Sequence, residues 1–325
     1  MADQTQNGNA FEFAVYSMFE STLNDWLRQS RLGPSIVTPI YDERYQTIKS
    51  SFELVDQDTR TSMILAAKAG LKLIFPFEPH LWSGTNSNPI KIKVNTNSGR
   101  EGDVRDVLFL SHVDNSGNQW EIGTSCKWNH KALKHSRLSR DLDFGYQWLG
   151  HRCSQSYWNE IRPIMDELDS LHGSNWRDLQ NKSTKFYKPL LDAFIRELLI
   201  INNSHSEVPR KLAEYFIGRY DFYKIIGSKS ERRTFMQPFN LHNTLNRRFE
   251  GTRPLNTITN LRGGMPTSIV DIRFINNSEN KIAIILDQGW QFNLRIHNAE
   301  SQISPSLKFD INFSGNPIAS FTEIW

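Results

Sequence analysis

The chain has 325 residues, of which 38% are hydrophobic and 22% are charged, and its formal net charge is +3. That length can bury the core of one large domain or two, and the small charge does not by itself indicate nucleic-acid binding. No apolar run approaches the ~20 residues that span a bilayer, and the first residues lack the basic start and apolar core of a secretory signal. With only Cys126 and Cys153 present, a disulfide framework and a cysteine-based zinc site are excluded, so we expect a cytoplasmic protein with reduced thiols.

The first part of the chain predicts two helices. Gly8 or Asn9 can cap a helix that runs to about Gln29, with an apolar stripe at Phe11, Val15, Met18, Phe19, Thr22, Leu23 and Trp26. Glu12 falls inside this stripe, where a carboxylate costs several kcal/mol unless it is paired, hydrogen-bonded or near a metal. It is therefore either an edge residue that bonds a helix end or a member of a catalytic centre. A second amphipathic helix is expected at 57–75.

The stretch before residue 128 predicts a β-hairpin, which follows a short strand at 90–94. Residues 104–113 are apolar and β-rich, residues 114–118 are turn formers, and residues 120–127 form a second β-rich run. Two such runs joined by a short turn cluster are typical of a hairpin.

The expected register of this hairpin places Asp106 across from about Cys126, between the side chains of Ser125 and Lys127. Alternate residues of a strand share one face, so Ser125 and Lys127 point to the same side, together with Glu121. The hairpin therefore brings an aspartate, a serine and a lysine to one surface.

Such a surface could cleave a phosphodiester. That reaction needs a metal to polarise the phosphate and activate water, and a cation to stabilise the added charge. Mg²⁺ takes oxygen ligands, so Asp106 is a candidate metal ligand, and Lys127 is a candidate catalytic cation that orients the attacking water. The pattern is similar to the PD-(D/E)xK nuclease core, in which an aspartate begins one strand and acid-x-Lys closes the next.

Ser125 departs from that pattern because an acid is expected at its position. In some members of the superfamily the missing carboxylate comes from the helix after the lysine, an offset that falls on Asp141 here, with Asp143 close by. Glu121 lies about 20 Å from Lys127 by strand rise, which is far for a shared metal unless the strand bends. Glu12 and Asp103 are further candidates, although Asp103 faces away from Asp106 unless a bulge turns it. The sequence leaves these alternatives open.

A basic segment follows the hairpin, with no acid from residue 128 to residue 140. Cations beside a hydrolytic site suggest contact with a polyanion, and a solvated loop is the alternative. The candidate DNA contacts are Asn129, His130, Lys134, His135 and Arg137. The two histidines lack the cysteine or histidine spacing of a zinc site, so phosphate contact or core packing is favoured for them.

The remaining helices are expected to be scaffold, and the C-terminal part is expected to be β. Amphipathic helices are predicted at 157–171, 186–200 and 208–215. The segment 224–262 mixes cations, asparagines and aromatic residues, which suits DNA contact or an exposed loop; its DNA-binding candidates are Arg232, Arg233, Arg247 and Arg248. An antiparallel meander is predicted from strands at 268–276, 281–287, 290–297 and 307–313.

The third strand of that meander has a polar face. Gln291, Asn293, Arg295 and His297 alternate along it and can donate hydrogen bonds to DNA base edges.

Several blocks of sequence resemble the HaeIII-type restriction endonucleases. They are GDVRDVL at 102–108, WEIGTSCKWNHKALKHSRLS at 120–139, DFGYQWLG with CSQSYW at 143–158, IGRYDFYKI at 217–225, and DQGWQFNLRIHNA with PSLKFDI at 287–311. Where the family has the sequence KHNH, this chain has Lys127-Trp128-Asn129-His130, which puts in doubt any role of the first histidine.

The resemblance implies a Mg²⁺-dependent type II enzyme that cuts double-stranded DNA at GGCC, between G and C, to blunt ends with 5′-phosphates. It also implies a methyltransferase that protects the host DNA. A palindromic site suggests a homodimer in which each subunit cuts one strand, with sequential nicking by a monomer as the alternative.

The expected fold class is α/β (α+β): a PD-(D/E)xK-type mixed-sheet nuclease core flanked by helices, with a C-terminal antiparallel β region. We expect a nuclease core with helical scaffold at 1–217 and a DNA-recognition region at 218–325. The alternative functions are a structure-specific or repair nuclease and an inactive DNA-binding protein, the latter because Ser125 replaces an acid.

Overall fold

The computed structural model describes residues 4–25, 36–96, 102–113, 117, 119–130, 133–249, 251–258, 264–315 and 317–325. In chain order the helices are α1 (Gln4–Asp25), α2 (Glu43–Leu54), α3 (Gln57–Ile74), α4 (Gln155–Ser170), α5 (Lys188–Ser204) and α6 (Val208–Ile217). The strands are β1 (Val37–Pro39), β2 (Ile90–Val94), β3 (Val107–Val113), β4 (Gln119–Trp128), β5 (Lys134–Ser139), β6 (Phe222–Ser228), β7 (Arg233–Phe239), β8 (Ile269–Phe274), β9 (Lys281–Leu286), β10 (Gln291–Asn298), β11 (Ser306–Gly315) and β12 (Phe321–Ile324). None of these described helices is long and apolar enough to cross a membrane.

The chain forms two compact units that alternate along the sequence. The first unit contains Met1–Lys131, Arg219–Leu261 and Ile318–Trp325, and the second contains Ala132–Gly218 and Arg262–Pro317. The boundary expected between residues 217 and 218 lies beside one passage between the units, at Gly218 and Arg219, and each unit also contains other segments of the chain. The functions expected for the two halves stay predictions.

The first unit is built on a mixed sheet of seven strands in the order β1-β2-β3-β4-β6-β7-β12. The pairs β1–β2 and β4–β6 are parallel, and the other neighbours are antiparallel. The second unit holds a five-stranded antiparallel sheet in the order β5-β11-β10-β9-β8. The expected α/β (α+β) class, with a mixed sheet, helices and an antiparallel C-terminal region, is confirmed.

Helix α1 carries Glu12, one of the candidate catalytic residues. Its apolar side, with Phe11, Val15 and Phe19 fully buried, packs against α2, α3 and β4, and each such side chain contributes about 1.5–3 kcal/mol by leaving water. The helix begins at Gln4, earlier than the expected cap at Gly8 or Asn9. The expected end at Gln29 lies outside the described residues.

Helix α3 was expected and helix α2 was not. The predicted helix at 57–75 agrees with α3 to within one residue, and Asp56 caps it by accepting a hydrogen bond from the Thr59 N–H. Asp42 caps α2 in the same way through the Tyr45 N–H. Only Ile48 of α2 is fully buried, so the apolar periodicity that marks a helix in sequence is weak there.

The beginning of the segment 224–262 is part of the core and not an exposed loop. Strand β6 lies between β4 and β7 in the middle of the sheet, and all of its residues are buried. Lys224, which the sequence grouped with the DNA-contacting cations, is only 2% exposed. The apolar run around it is typical of a central parallel strand.

The second unit contains the three predicted scaffold helices as α4, α5 and α6 and the predicted meander as β8 to β11. Its core forms where Phe309 of β11 and Phe292 of β10 meet Phe194 and Phe216, with ring centroids 5.5 and 5.0 Å apart respectively. The basic segment after the hairpin is not a loop, because Lys134–Ser139 pairs with β11 as edge strand β5.

A buried carboxylate in the first unit gives a prediction for pH-dependent stability. Glu78 is 1% exposed and accepts hydrogen bonds from the Tyr223 hydroxyl at 2.7 Å and the Asn246 N–H at 2.6 Å. Burial raises the pKa of Glu78 from 4.5 to about 7. The folded chain therefore keeps a proton that the unfolded chain has lost, and stability falls as pH rises from about 4.5 to about 7.

We expect Glu78→Gln to remove this dependence, since an amide oxygen can still accept both hydrogen bonds. The unfolding free energy of the variant minus that of the wild type should be larger at pH 8 than at pH 4 by roughly 1–3 kcal/mol. Urea unfolding at both pH values measures this difference, with Glu53→Gln on the surface of α2 as the control. If the unfolding free energies of the variant and the wild type differ by the same amount at both pH values, Glu78 is not the source of the pH dependence.

Candidate active site

The hairpin of β3 and β4 brings Asp106 to Ser125 and Lys127. Val107 pairs with Thr124, and the Asp106 N–H donates to the Thr124 carbonyl at 2.7 Å, so Asp106 lies across from Ser125. The expected position was one residue further on, at Cys126. The register shift between Leu110 and Val113 accounts for the difference, because a bulge moves the pairing by one residue.

The Asp106 carboxylate is the centre of a compact polar cluster. Its Oδ2 accepts a hydrogen bond from the Cys126 N–H at 2.6 Å and lies 3.4 Å from the Ser125 hydroxyl and 3.6 Å from the Lys127 Nζ. Burial alone would lower the pKa of Lys127, but the carboxylates of Asp106 and Glu12 outweigh burial and raise it. Lys127 therefore stays a cation at neutral pH.

Glu12 adds a second carboxylate to the cluster from α1. Burial, and next the charge of Asp106, raise the pKa of Glu12 to about 8, while Arg44 and Lys127 act in the opposite direction. The Glu12 carboxylate accepts a hydrogen bond from the Arg44 guanidinium at 2.7 Å. A carboxylate on the apolar side of α1 is thus accommodated by two cations, and it belongs to the same charged cluster as Asp106 and Lys127.

Two other candidate carboxylates, Asp103 and Glu121, are paired with Arg105. Asp103 binds the Arg105 guanidinium at 2.9 Å, and Glu121 binds its other side. The guanidinium also lies over the Tyr220 ring, 4.3 Å from its centroid. Within the first unit, Glu12 therefore interacts electrostatically with Asp106, whereas Asp103 and Glu121 are held on Arg105.

The Arg105 side chain crosses β4 at Gly123. A Cβ at this position would lie 2.5 Å from the Arg105 Cδ, far inside a normal contact, and Arg105 is held in place by two carboxylates. Glycine at 123 is therefore required by the close approach of this side chain.

Asp141 and Asp143 lie in the second unit. Asp141 is exposed in the turn after β5. The Asp143 Oδ1 accepts hydrogen bonds from the N–H groups of Tyr146 at 2.9 Å and Cys153 at 3.1 Å, so this carboxylate orders the π-helical turn Gly145–Leu149. A metal-binding role for either residue stays a prediction.

The DNA-contact candidates of the first unit lie at strand ends and in loops. Asn129 follows β4, and its side-chain oxygen accepts a hydrogen bond from the Lys229 N–H at 2.8 Å. Half-buried His130 comes next. Arg232 is exposed in the turn before β7, and Arg233 is the first residue of that strand. Arg247 and Arg248 are exposed after β7.

The candidates of the second unit lie on one sheet. Lys134, His135 and Arg137 belong to β5, where the side chains of the first two lie outside the described residues and Arg137 is exposed.

On the polar face of β10 the donors are partly engaged. Arg295 binds Asp310, the His297 ring lies 3.2 Å from the same carboxylate, and Asn293 accepts a hydrogen bond from Ser314. Gln291 begins the strand and is half-buried. Base contact by this face stays a prediction.

Two residues of the site were not expected from the sequence. Arg44 lies on α2, which the sequence did not predict. Lys224 pairs with Ser125 in the parallel register of β4 and β6, and burial, with a smaller contribution from Lys127, lowers its pKa to about 7. The apolar residues on both sides of Lys224 were the available signal that it lies in a buried strand.

The donor set suits a hard divalent cation. Glu12 and Asp106 offer carboxylate oxygens, which Mg²⁺ prefers. Burial and the charge of Asp106 raise the pKa of Glu12, and a divalent cation beside the two carboxylates would favour their charged forms. The pair therefore fits a metal ion, with Lys127 beside it as a fixed cation.

Comparison with known proteins agrees with the sequence resemblance. The model of the HaeIII restriction endonuclease family matches residues 8–317. The type II restriction enzyme HaeIII from Haemophilus aegyptius is 37% identical over 314 residues, which cover 96% of this chain and 94% of the relative. The chain therefore belongs to the HaeIII restriction endonuclease family.

Proposed function

We propose that this type II site-specific deoxyribonuclease recognises the palindrome GGCC in double-stranded DNA and cuts it between G and C, leaving blunt ends with 5′-phosphates. Membership of the HaeIII family establishes the restriction endonuclease activity. The observation that carries the proposal is the ion pair of Asp106 and Lys127 at 3.6 Å, with Glu12 close enough to interact electrostatically with both. We further propose that the enzyme acts in the cytoplasm beside a methyltransferase that protects the same sites.

We propose Mg²⁺ as the cofactor, held by Glu12 and Asp106. When bound, the ion would polarise the scissile phosphate and activate a water molecule. The carboxylate of Glu12 thus takes the place of the acid that the PD-(D/E)xK pattern has at Ser125, so the serine does not argue for an inactive centre.

The protein's own groups prepare the site for a phosphate. Lys127 remains protonated because of its two carboxylate neighbours, so it can stabilise the charge that builds up on the phosphate oxygens and orient the attacking water. Asp106 holds the ammonium group of Lys127 within 3.6 Å. Arg44 holds the Glu12 carboxylate toward the cluster through a 2.7 Å hydrogen bond.

Recognition of GGCC requires donors for guanine O6 and N7 and acceptors for cytosine N4. We propose that Arg232 and Arg233 of the first unit and the polar face of β10 in the second supply such contacts. A palindromic target also favours a homodimer, in which each subunit cuts one strand.

The function can be tested by incubating plasmid DNA with the purified chain and Mg²⁺ and sequencing the ends. Discrete bands ending in GG and CC would support the proposal. A smear or cutting at DNA structures would indicate a general, structure-specific or repair nuclease, and intact DNA would indicate a protein that only binds. Cutting that persists when EDTA removes divalent cations would contradict the proposed cofactor.

A further inference from the structure

A second cationic feature lies in the first unit outside the catalytic cluster. It is a cleft of about 940 Å³ whose cationic lining is Arg105, Arg219, Arg247 and Arg248, with His242 and Tyr220 beside them. We call it the arginine cleft. Arg219 precedes β6, whereas Arg247 and Arg248 follow β7, so cations enter the cleft from two segments of the chain.

The acids of the arginine cleft are already engaged inside the protein. Glu121 is paired with Arg105. Asp221 accepts hydrogen bonds from the N–H groups of Leu241, His242 and Thr244, the shortest at 2.6 Å. Asp221 therefore orders the loop that carries Arg247 and Arg248, and it forms no ion pair with either of these described residues.

Three arginines of the cleft carry its exposed positive charge. Arg219, Arg247 and Arg248 are exposed, and none forms an ion pair with an acid among the residues that the structure describes. Arg105, by contrast, is buried and fully paired, so it forms part of the rigid floor. The lining thus carries excess positive charge on exposed arginine side chains, while the buried Arg105 is held in place by its acids.

The arginine cleft and the catalytic cluster lie along the same strand. Glu121 in the cleft and Lys127 in the cluster are six residues apart on β4, so both point to the same face at a spacing of about 20 Å. One strand of a DNA duplex advances 3.4 Å per base pair. For a duplex whose axis lies along β4, as this inference requires, 20 Å corresponds to about six base-pair steps.

We propose that the arginine cleft binds backbone phosphates of the substrate duplex outside the recognition sequence. This inference rests on the proposed function, because the spacing is counted from the scissile phosphate. A cut at the centre of GGCC leaves two base pairs of the site on each side of the scissile phosphate. Six base-pair steps from that phosphate therefore place the cleft about four base pairs beyond the end of the site. Arg247 and Arg248 then act on phosphates, where they position the duplex and read no sequence.

The test compares Arg247→Gln/Arg248→Gln with the wild type in equilibrium DNA binding at several NaCl concentrations. The probe is a fluorescent 30-base-pair duplex with one GGCC site in Ca²⁺, so the readout does not depend on cleavage. Each lost phosphate contact reduces the slope of log affinity against log salt by about 0.9, and we expect a reduction of about two. Arg253→Gln, an exposed arginine that does not line the cleft, is the matched control and should keep the wild-type slope.

A second measurement varies the length of DNA that flanks the site. Wild-type affinity should increase at least about tenfold when the flank grows from two to eight base pairs, whereas the double variant should gain little, because its phosphate contacts are missing. An unchanged salt slope, or a variant that responds to flank length as the wild type does, would overturn the inference. Absence of GGCC cleavage by the wild type would overturn the proposed function instead, and the binding slopes would still decide the role of the arginine cleft.

Discussion

Replacing Lys127 by methionine is expected to lower the rate of DNA cleavage by at least about 10³-fold, because the group that stabilises the developing negative charge is removed. Methionine has a similar length and no charge, so it can occupy the same space on β4. Its thioether leaves Asp106 and Glu12 without their shared cation. Single-turnover cleavage of a GGCC duplex with Mg²⁺ measures the loss directly.

Binding must be measured alongside cleavage to separate chemistry from folding. We expect Lys127→Met to bind the duplex in Ca²⁺ within about fivefold of the wild type, since the scissile phosphate is one of many backbone contacts. Lys91→Met on the exposed face of β2 is the matched control and should cut normally. Cleavage by Lys127→Met within tenfold of the wild-type rate would remove Lys127 from the catalytic centre.

The meeting of Asp106 and Lys127 could be predicted because it depends on local patterns. Two β-rich runs around a cluster of turn formers define a hairpin, and strand alternation then places Ser125 and Lys127 on one face. The register could not be predicted to the residue. The bulge between Leu110 and Val113 moved Asp106 from Cys126 to Ser125, and a bulge depends on tertiary packing that leaves no clear mark in the sequence.

Glu12 was a candidate because its position conflicts with the cost of burying a carboxylate. Such a conflict shows that a partner exists but does not identify it, so Asp103, Glu121, Asp141 and Asp143 stayed open. In the structure the Arg105 guanidinium holds both Asp103 and Glu121, and a metal-binding role for any of these four carboxylates stays a prediction. A single sequence does not show which of several nearby carboxylates an arginine will bind.

The burial of Lys224 could not be predicted from the composition of its segment. In a segment rich in cations and asparagine it was grouped with exposed DNA-binding residues, yet β6 is central and buried. Parallel pairing with β4 links residues about a hundred positions apart, and such long-range contacts are not encoded in local periodicity. The same limit applied to β12, which closes the sheet edge beside β7 from the end of the chain.

Glu12→Gln should lower Mg²⁺-dependent cleavage by at least about 10²-fold, because an amide is a weaker ligand than a carboxylate for a hard cation. The amide oxygen can still accept the hydrogen bond from Arg44, so α1 should stay in place. We expect partial recovery with Mn²⁺, since it uses the same oxygen donors while Mg²⁺ demands near-ideal octahedral geometry.

Metal binding gives the decisive readout, because it separates a lost ligand from a disturbed fold. Titration of Ca²⁺ into the protein–DNA complex should show weaker binding for Glu12→Gln and for Asp106→Asn. Glu121→Gln should bind the ion normally, because Glu121 is held by Arg105. If Glu12→Gln keeps normal Mg²⁺ kinetics while Asp141→Asn or Asp143→Asn loses cleavage, the second carboxylate comes from the segment after the hairpin. Glu12 would then serve only to hold Arg44, and Asp106 alone would supply the metal-binding carboxylate of the first unit.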